Sequence, residues 1–439
     1  MTVPTSKSWH HGMMLASVPG LLIVAFLALA NLDTGMASQS DGSSGGQIPQ
    51  EEWNRTFGGS NDDVGTYVQQ TNDGGYVITG YTSSYYSADA PYSWLKNVQF
   101  SGDLCLIKTD PEGNKEWDRT FGGIGKDLGF CGQQTNDGGF IITGGLKAIT
   151  GGQKSFWVLS NYAVPLIKTD THGNEKWIKT VGGSGEEVGF STQQTNDGGY
   201  IIAGYTTIPA KDHIPLPLSI FTEGKRACLI KTDPNGNREW DVVLGRKDTE
   251  AASVQQTTDG GYILTGYTSS FGAGKEDVVL AKTDSRGAVE WVNNFGGPNR
   301  DLGLSVNETK DGGYIITGLT ESFGDENRNG NIWLIKTTSK GIKEWDRTFG
   351  GPNFDFGASV HETRDGGYII TGHTSYSETN VVWLIKTDSK GIKEWDIPFN
   401  RSGTAWGNCV QETQDSGYII TGGIESDGTG MDVWLIKVK

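Results

Sequence analysis

From residue 51 onward, apolar positions cluster in runs of four to eight, separated by short polar stretches rich in glycine and aspartate. The unit is clearest from Gly357 to Trp395: GASVHETRDGGYIITGHTSYSETNVVWLIKTDSKGIKEW. A run ending at Thr363 meets Asp-Gly-Gly, an apolar run starts at Tyr368, WLIKTD follows, and a second turn leads to a lone Trp. Runs this short, rich in β-branched and aromatic residues and bounded by turn residues, predict strands rather than helices. We name the four strands of each unit A to D. The Asp-Gly-Gly between A and B supplies the positive φ of a tight hairpin. The C–D link, as in TDPEGNKEW, places Asp at a turn start and Gly at its left-handed position.

The Trp of strand D recurs at Trp53, Trp117, Trp177, Trp240, Trp291, Trp345 and Trp395, at spacings of 64, 60, 63, 51, 54 and 50 residues. A four-strand unit repeating on that period implies a β-propeller. Strands A, B and C each occur seven times after residue 60, whereas the first D strand, at Trp53, precedes any A strand. The chain also ends, at Lys439, on a C strand. The expectation is an all-β, seven-bladed β-propeller with four antiparallel strands per blade. Its last blade is closed by the N-terminal outer strand, which removes the open edges of a ring broken between blades.

The repeats resemble the DGGYI…WLIKTD…G…W units of exported bacterial and archaeal propeller proteins. They also resemble, distantly, the tryptophan-docking repeats of quinoprotein propellers, although those dehydrogenases typically carry eight units. The resemblance covers residues 51–439. It implies fold more than activity, because one propeller scaffold hosts many functions.

Composition agrees with many short strands and aromatic plugs: 35% apolar residues, 65 Gly and 14 Trp in 439 residues. A formal charge of −16 argues against nucleic acid and anionic membrane surfaces as partners. The leader changes the picture. Lys7 precedes an uncharged stretch from Met13 to Ala30, and Ala28-Leu29-Ala30 offers a cleavage site. Residues 1–30 read as a signal peptide or N-terminal membrane anchor, and 31–50 as a flexible linker. The protein is then exported, extracellular or at the cell surface, touching membrane only through residues 13–30 if the leader is retained. A monomer is expected. Cys105 and Cys228 fall in one repeat slot, Cys131 and Cys409 in another, in non-adjacent repeats, which predicts buried free thiols rather than disulfides.

Two features mark the face carrying the B–C and D–A connections. The B–C connections of blades 1, 2 and 3 swell to about 20 residues, long enough to point to function. Their aromatic side chains, Tyr85, Tyr86, Tyr92, Trp94, Phe156, Trp157, Tyr162 and Phe221, together with His213, make a candidate ligand-binding face, with mutual packing as a cap the alternative. Asp63, Asp127, Glu187, Asp301 and Asp355 stand two residues before the Gly that opens strand A. They are candidate channel-mouth carboxylates, for a cation or polar ligand, or caps of their own loops. Blade 4 departs here, with LGRKDTEAAS. Asp325, Asn327 and Asn329 match the start of a Ca²⁺ loop, but Lys336 replaces its bidentate Glu, so no EF-hand forms and a polar turn is the simpler reading. No cofactor is required, and Ca²⁺ is the one candidate. Sequons occur at Asn54, Asn307 and Asn400. Hairpin register sets His373 across from Ala358, away from His361.

No nucleophile elbow, phosphate loop or metal-spaced His/Cys pair is present. The favoured reading is a binding module for an envelope protein or surface polysaccharide. Alternatives are an enzyme at the channel mouth (a polysaccharide lyase or hydrolase, or a quinoprotein-like oxidoreductase) and a structural surface-layer or adhesive component.

Overall fold

The computed structural model describes residues 48–84, 102–122, 127–150, 158–182, 185–207, 224–324, 329–376, 379–399, 403–426 and 430–439. These residues form seven antiparallel sheets, the blades, and among them there is no helix. Blade 1 runs Asp63–Gln70, Tyr76–Thr82, Asp103–Thr109 and Lys115–Phe121 in hydrogen-bonded order A-B-C-D. The last blade joins the two ends of the chain: Glu51–Phe57 pairs with Gly430–Val438, which pairs with Tyr418–Ser426, which pairs in turn with Ala405–Glu412. Register runs from Trp53↔Lys437 to Phe57↔Val433, and Gln50 and Lys439 exchange two backbone hydrogen bonds beyond it.

Strands B and C read as continuous apolar runs because both of their faces meet a neighbouring blade. In blade 3, Tyr200–Thr206 and Arg226–Thr232 are buried at every position. Strand D is the outer edge and half exposed, so its sequence is charged apart from the Trp. That Trp is the wedge between blades. Each ring packs on the aromatic that heads strand B of the next blade, from Trp53 on Tyr76 to Trp395 on Tyr418, with centroids 5.7–6.2 Å apart. Six of the rings also lie where a side chain on the next blade's C–D glycine would stand, as Trp53 does at Gly113 and Trp345 at Gly391. That glycine therefore answers both to its positive φ, 80° at Gly113, and to the docking ring.

Strand A faces the axis, and a hydrogen-bond relay runs around it. The side chain ending each A strand accepts from the A–B turn amide of the blade before: Asn72 N–H to Gln134, Asn136 to Gln194, Asn196 to Gln256, Thr258 to Glu308, Lys310 to Glu362, Arg364 to Glu412 and Gln414 to Gln70, at 2.7–2.9 Å. The last bond joins blade 7 to blade 1 and closes the ring.

On the rim of the A–B and C–D turns, which we call the lower rim, each blade repeats one clamp. The strand C lysine is buried and paired with the turn aspartate: Lys108 with Asp73 and Lys336 with Asp311, each at 2.9 Å. Most copies add a strand D glutamate, as Glu344 does at 3.2 Å from Lys336. The aspartate also accepts from the preceding Thr and the second Gly of its own turn. That Gly must lack a side chain: on Gly313 a β-carbon would lie 2.1 Å from the Thr337 carbonyl and 2.5 Å from Lys336 Nζ. The Asp-Gly-Gly signature is thus an ion-pair seat as well as a turn.

Two local expectations are corrected. The blade 2 insertion is in part a hairpin extension, with Phe140–Thr150 pairing with Val158–Ala163. His373 pairs with Phe356, not Ala358: the hairpin register that starts at Glu362↔Tyr368 already points it at Gly357, and a β-bulge between Gly357 and Ser359 shifts it one residue further. The same bulge recurs in every A strand.

Candidate functional site on the upper rim

The opposite, upper rim is where the blades differ. Asp63, Asp127, Glu187, Asp301 and Asp355 open their A strands and are at most 5% exposed. They hold their own D–A junctions: Asp63 accepts from Gly59 N–H at 2.9 Å, Asp301 from Gly297 at 2.8 Å and Asp355 from Gly351 at 2.9 Å. Glu187 accepts from the Thr206 hydroxyl at 2.8 Å. Four of them face a polar residue near the start of strand C in the preceding blade: Asp432 meets Asp63, Asp103 meets Asp127, Asp277 meets Asp301 and Asn331 meets Asp355. A β-carbon on the intervening Gly58, Gly122, Gly296 or Gly350 would lie within 3.0 Å of both partners. Burial pushes the Asp103 and Asp355 carboxyls up to about 6. Burial, with Asp301 adding to it, raises Asp277 as well. At three seams two carboxylates face each other and at a fourth an amide faces a carboxylate, and among the described residues no three His, Cys, Asp or Glu side chains gather into a metal site.

A second cluster was not singled out by sequence. In six blades the residue that follows the opening position, two places before the strand A bulge residue, is apolar: Val64, Leu128, Val188, Leu302, Phe356 and Trp406. In blade 4 it is Glu250, opposite Tyr267. Glu250 is 7% exposed. One of its oxygens accepts from Lys225 Nζ at 3.0 Å, and the ammonium lies 4.2 Å from the centre of the Tyr205 ring. The Tyr205 hydroxyl donates to Glu186 at 2.7 Å. Burial raises the Glu250 carboxyl against the opposing pull of Lys225. Burial also raises the Tyr267 phenol; Glu250 adds to this and Arg300 opposes it. Arg300 sits 3.9 Å from Glu321. The result is a row of alternating charge, Glu186–Lys225–Glu250–Arg300–Glu321, interleaved with Tyr205 and Tyr267. Two of its buried atoms have no hydrogen-bond partner, Glu250 Oε2 and Arg300 Nη2. The signal in the sequence was the blade 4 departure itself, which breaks an apolar slot with a charge.

Of the proposed ligand-face residues, Tyr162 is described; it is buried against Val188 and Tyr205, with Phe130 and Phe190 alongside. Tyr85, Tyr86, Tyr92, Trp94, Phe156, Trp157, His213 and Phe221 lie outside the described residues, as do Asp325 and Asn327. Asn329 donates its side-chain amide to the Pro352 carbonyl at 2.6 Å. His373 lies beside Phe354 and Phe356 at 5.8 and 5.3 Å. Burial pulls both His361 and His373 down to about 4. The Asn307 amide donates to Val360 O at 2.7 Å, within strand A. All four cysteines are buried and free. Among the described residues no helix is long and apolar enough to cross a membrane, and residues 1–47 lie outside them.

No family model matches the sequence, and no curated protein matches it. Solved structures similar to it include a protein of unknown function from Bacteroides caccae, at 11% identity and a TM-score of 0.41, over 68% of this chain and 90% of that one. Another is a protein of unknown function from Dyadobacter fermentans, at 8% identity and a TM-score of 0.47, over 89% and 99% of the two chains. A third is the Neurospora crassa Pan2 WD40 domain, at 8% identity and a TM-score of 0.45, over 85% and 96%. The blade count and closure therefore rest on the sheet topology of this chain itself.

Proposed function

We propose that the protein is an exported binding module whose upper face, bearing the long B–C insertions of blades 1–3 and the polar row of blades 3–5, takes an envelope protein or a surface polysaccharide. One observation carries this reading: the lower rim repeats a single clamp around the ring, while the upper rim changes from blade to blade. A repeated rim serves the scaffold, and a departure from the repeat that buries charge beside long loops calls for a separate reason. Export is supported by the leader and by the resemblance of the repeats to those of exported propellers. The acidic charge favours neutral or basic partners over nucleic acid.

The test is a binding screen of the full-length protein against glycans and envelope extracts, beside a variant with all three long connections shortened to blade 6 length. Loss of binding in the variant is expected. Equal binding by the two proteins would place the partner surface elsewhere.

A further inference from the structure

We propose that strand D of blade 4, Val289–Phe295, is a self-association edge at which two copies of this chain pair antiparallel into a dimer. The surface lies on the outer circumference, apart from the upper face, and the dimer replaces the monomer expected from the sequence.

The outer strand of a blade leaves one row of backbone N–H and C=O groups without a strand beside it. Such an edge invites pairing unless charge or proline blocks it. In the other six blades it is blocked. An ion pair runs along strand D in blades 1, 3, 5 and 6: Lys115–Asp118, Arg238–Asp241, Lys343–Asp346 and Lys393–Asp396, each at 2.9 Å. A cation covers the docking Trp in blades 1, 2, 5 and 7: Arg119, Lys179, Arg347 and Arg55, 5.3–5.6 Å from the ring centre. Blade 6 adds Pro398. Blade 4 has neither device. Val289 and Val292 stand where blade 5 has Lys343 and Asp346, and Asn293 where it has Arg347. Asn293 turns to the Lys340 and Gly341 carbonyls of blade 5, at 3.3 and 3.0 Å. The one charge of the strand, Glu290, is paired inward with Lys282 at 3.5 Å. What remains in water is apolar, with Val289 47% exposed and Val292 40%.

Charge names the occupant. Antiparallel pairing of this strand with its own copy about Val292 sets Val292 opposite Val292, Glu290 opposite Asn294 and Val289 opposite Phe295. No like charges meet. The same pairing of Lys343–Phe349 about Asp346 would set Asp opposite Asp. About Trp345 it would set Glu344 opposite Asp346 and Lys343 opposite Arg347. A charged strand would in turn find no counter-charge on Val289–Phe295. Among the outer strands of this chain, the match belongs to Val289–Phe295 alone. Strand D runs from the lower rim to the upper, so the pairing turns one ring over and points the two upper faces in opposite directions. One strand pair is a small interface, which puts the dissociation constant in the micromolar range. Each copy carries a charge of −16, so salt, by screening that repulsion, should tighten the dimer.

The experiment is sedimentation velocity of the full-length protein from about 1 to about 100 µM, a range that brackets micromolar affinity, at low and at high salt. Wild type is expected to dimerise, more tightly at high salt. Val289→Lys with Val292→Asp gives blade 4 the ion pair of blade 5 and should weaken the dimer about tenfold or more. Melting curves establish that this variant is folded. If it is not, Asn294→Lys, at an exposed position, takes its place with the same expectation. Oxidation of a Val292→Cys protein should give a covalent dimer, since the four native thiols are buried. Ile178→Cys, at the equivalent position of blade 2 and 38% exposed, should not. A monomer throughout the range would overturn the inference outright. Association that is equal in wild type and the charged variant, or that loosens as salt rises, would place the contact elsewhere and overturn the edge. Equal cross-linking at the two cysteine positions would overturn the strand pairing.

Discussion

The two rims of this ring use acidic residues in opposite ways. On the lower rim each turn aspartate is half in water, seated on a buried lysine and several donors. Burial opposes its ionisation, yet Thr309, Lys336 and the Gly313 amide together bring Asp311 down to about 2, and the equivalent set brings Asp259 to about 2. On the upper rim the acids are buried at the blade seams, Asp127 facing Asp103 and Asp355 facing Asn331, and burial takes Asp103 and Asp355 up to about 6. The difference shows where symmetry is kept. A turn rim closed by ion pairs can be copied seven times. A seam of facing acids is not copied in this way: Asn331 replaces one acid opposite Asp355, and Val381 and Ala405 occupy the equivalent positions of blades 6 and 7.

The largest expected effect comes from opening the ring. Deleting residues 48–58 removes strand D of blade 7 and with it Trp53, packed against Tyr76. Loss of one packed tryptophan alone is worth about 3–5 kcal/mol. The deletion should lower and broaden the melting transition, whereas deleting 31–47 should leave it in place. Superimposable melting curves would show that the closing strand does not hold the ring.

Next comes the clamp. Lys336→Ala leaves Asp311 and Glu344 in water but removes a buried charge-assisted network, for a loss of about 2 kcal/mol by denaturant titration. A change below about 0.5 kcal/mol would reduce the clamp to a surface ion pair.

The rims should also separate by pH. Asp311 and Asp259 have depressed folded values, so their contribution is present above about pH 4 and lost as pH falls through about 2. Asp355 is raised, so its contribution is complete below about pH 4 and lost as pH rises through about 6. Asp355→Asn keeps an acceptor for Gly351 N–H and removes the titration. It should match wild type near pH 4 and exceed it by about 1 kcal/mol or more above pH 7. Parallel stability curves across that range would show that this seam carries no protonation penalty.

The smallest effect tests one turn. Ser416 stands where six blades have Gly, at φ 66°. Ser416→Gly should stabilise by about 0.5–1 kcal/mol, the left-handed cost less the added freedom of the unfolded chain. A destabilisation would mean that the Arg364 bond to the Ser416 hydroxyl, 3.1 Å long, matters more than the backbone.

Strand identity, blade count and the joining of the ends were legible in the residue pattern, because each rests on local rules: period, turn glycines and a count of repeats. The free cysteines followed from the same alignment. The lysine clamp was not legible, because LIKTD looks like any strand with a charged end until the turn of its own blade is folded over it. The bulge in strand A was equally silent: its single added residue moves His373 from Gly357 to Phe356, one position beyond the shift that the hairpin turn itself makes from Ala358. Sequence alone determined that this chain forms a closed ring of seven like sheets, since hydrophobic alternation and turn chemistry act within a few residues. Only the tertiary structure decided which charges meet. Asp277 facing Asp301, or Glu250 and Arg300 each keeping an atom unmatched, depends on side chains brought together from different blades, where desolvation makes every missing partner count.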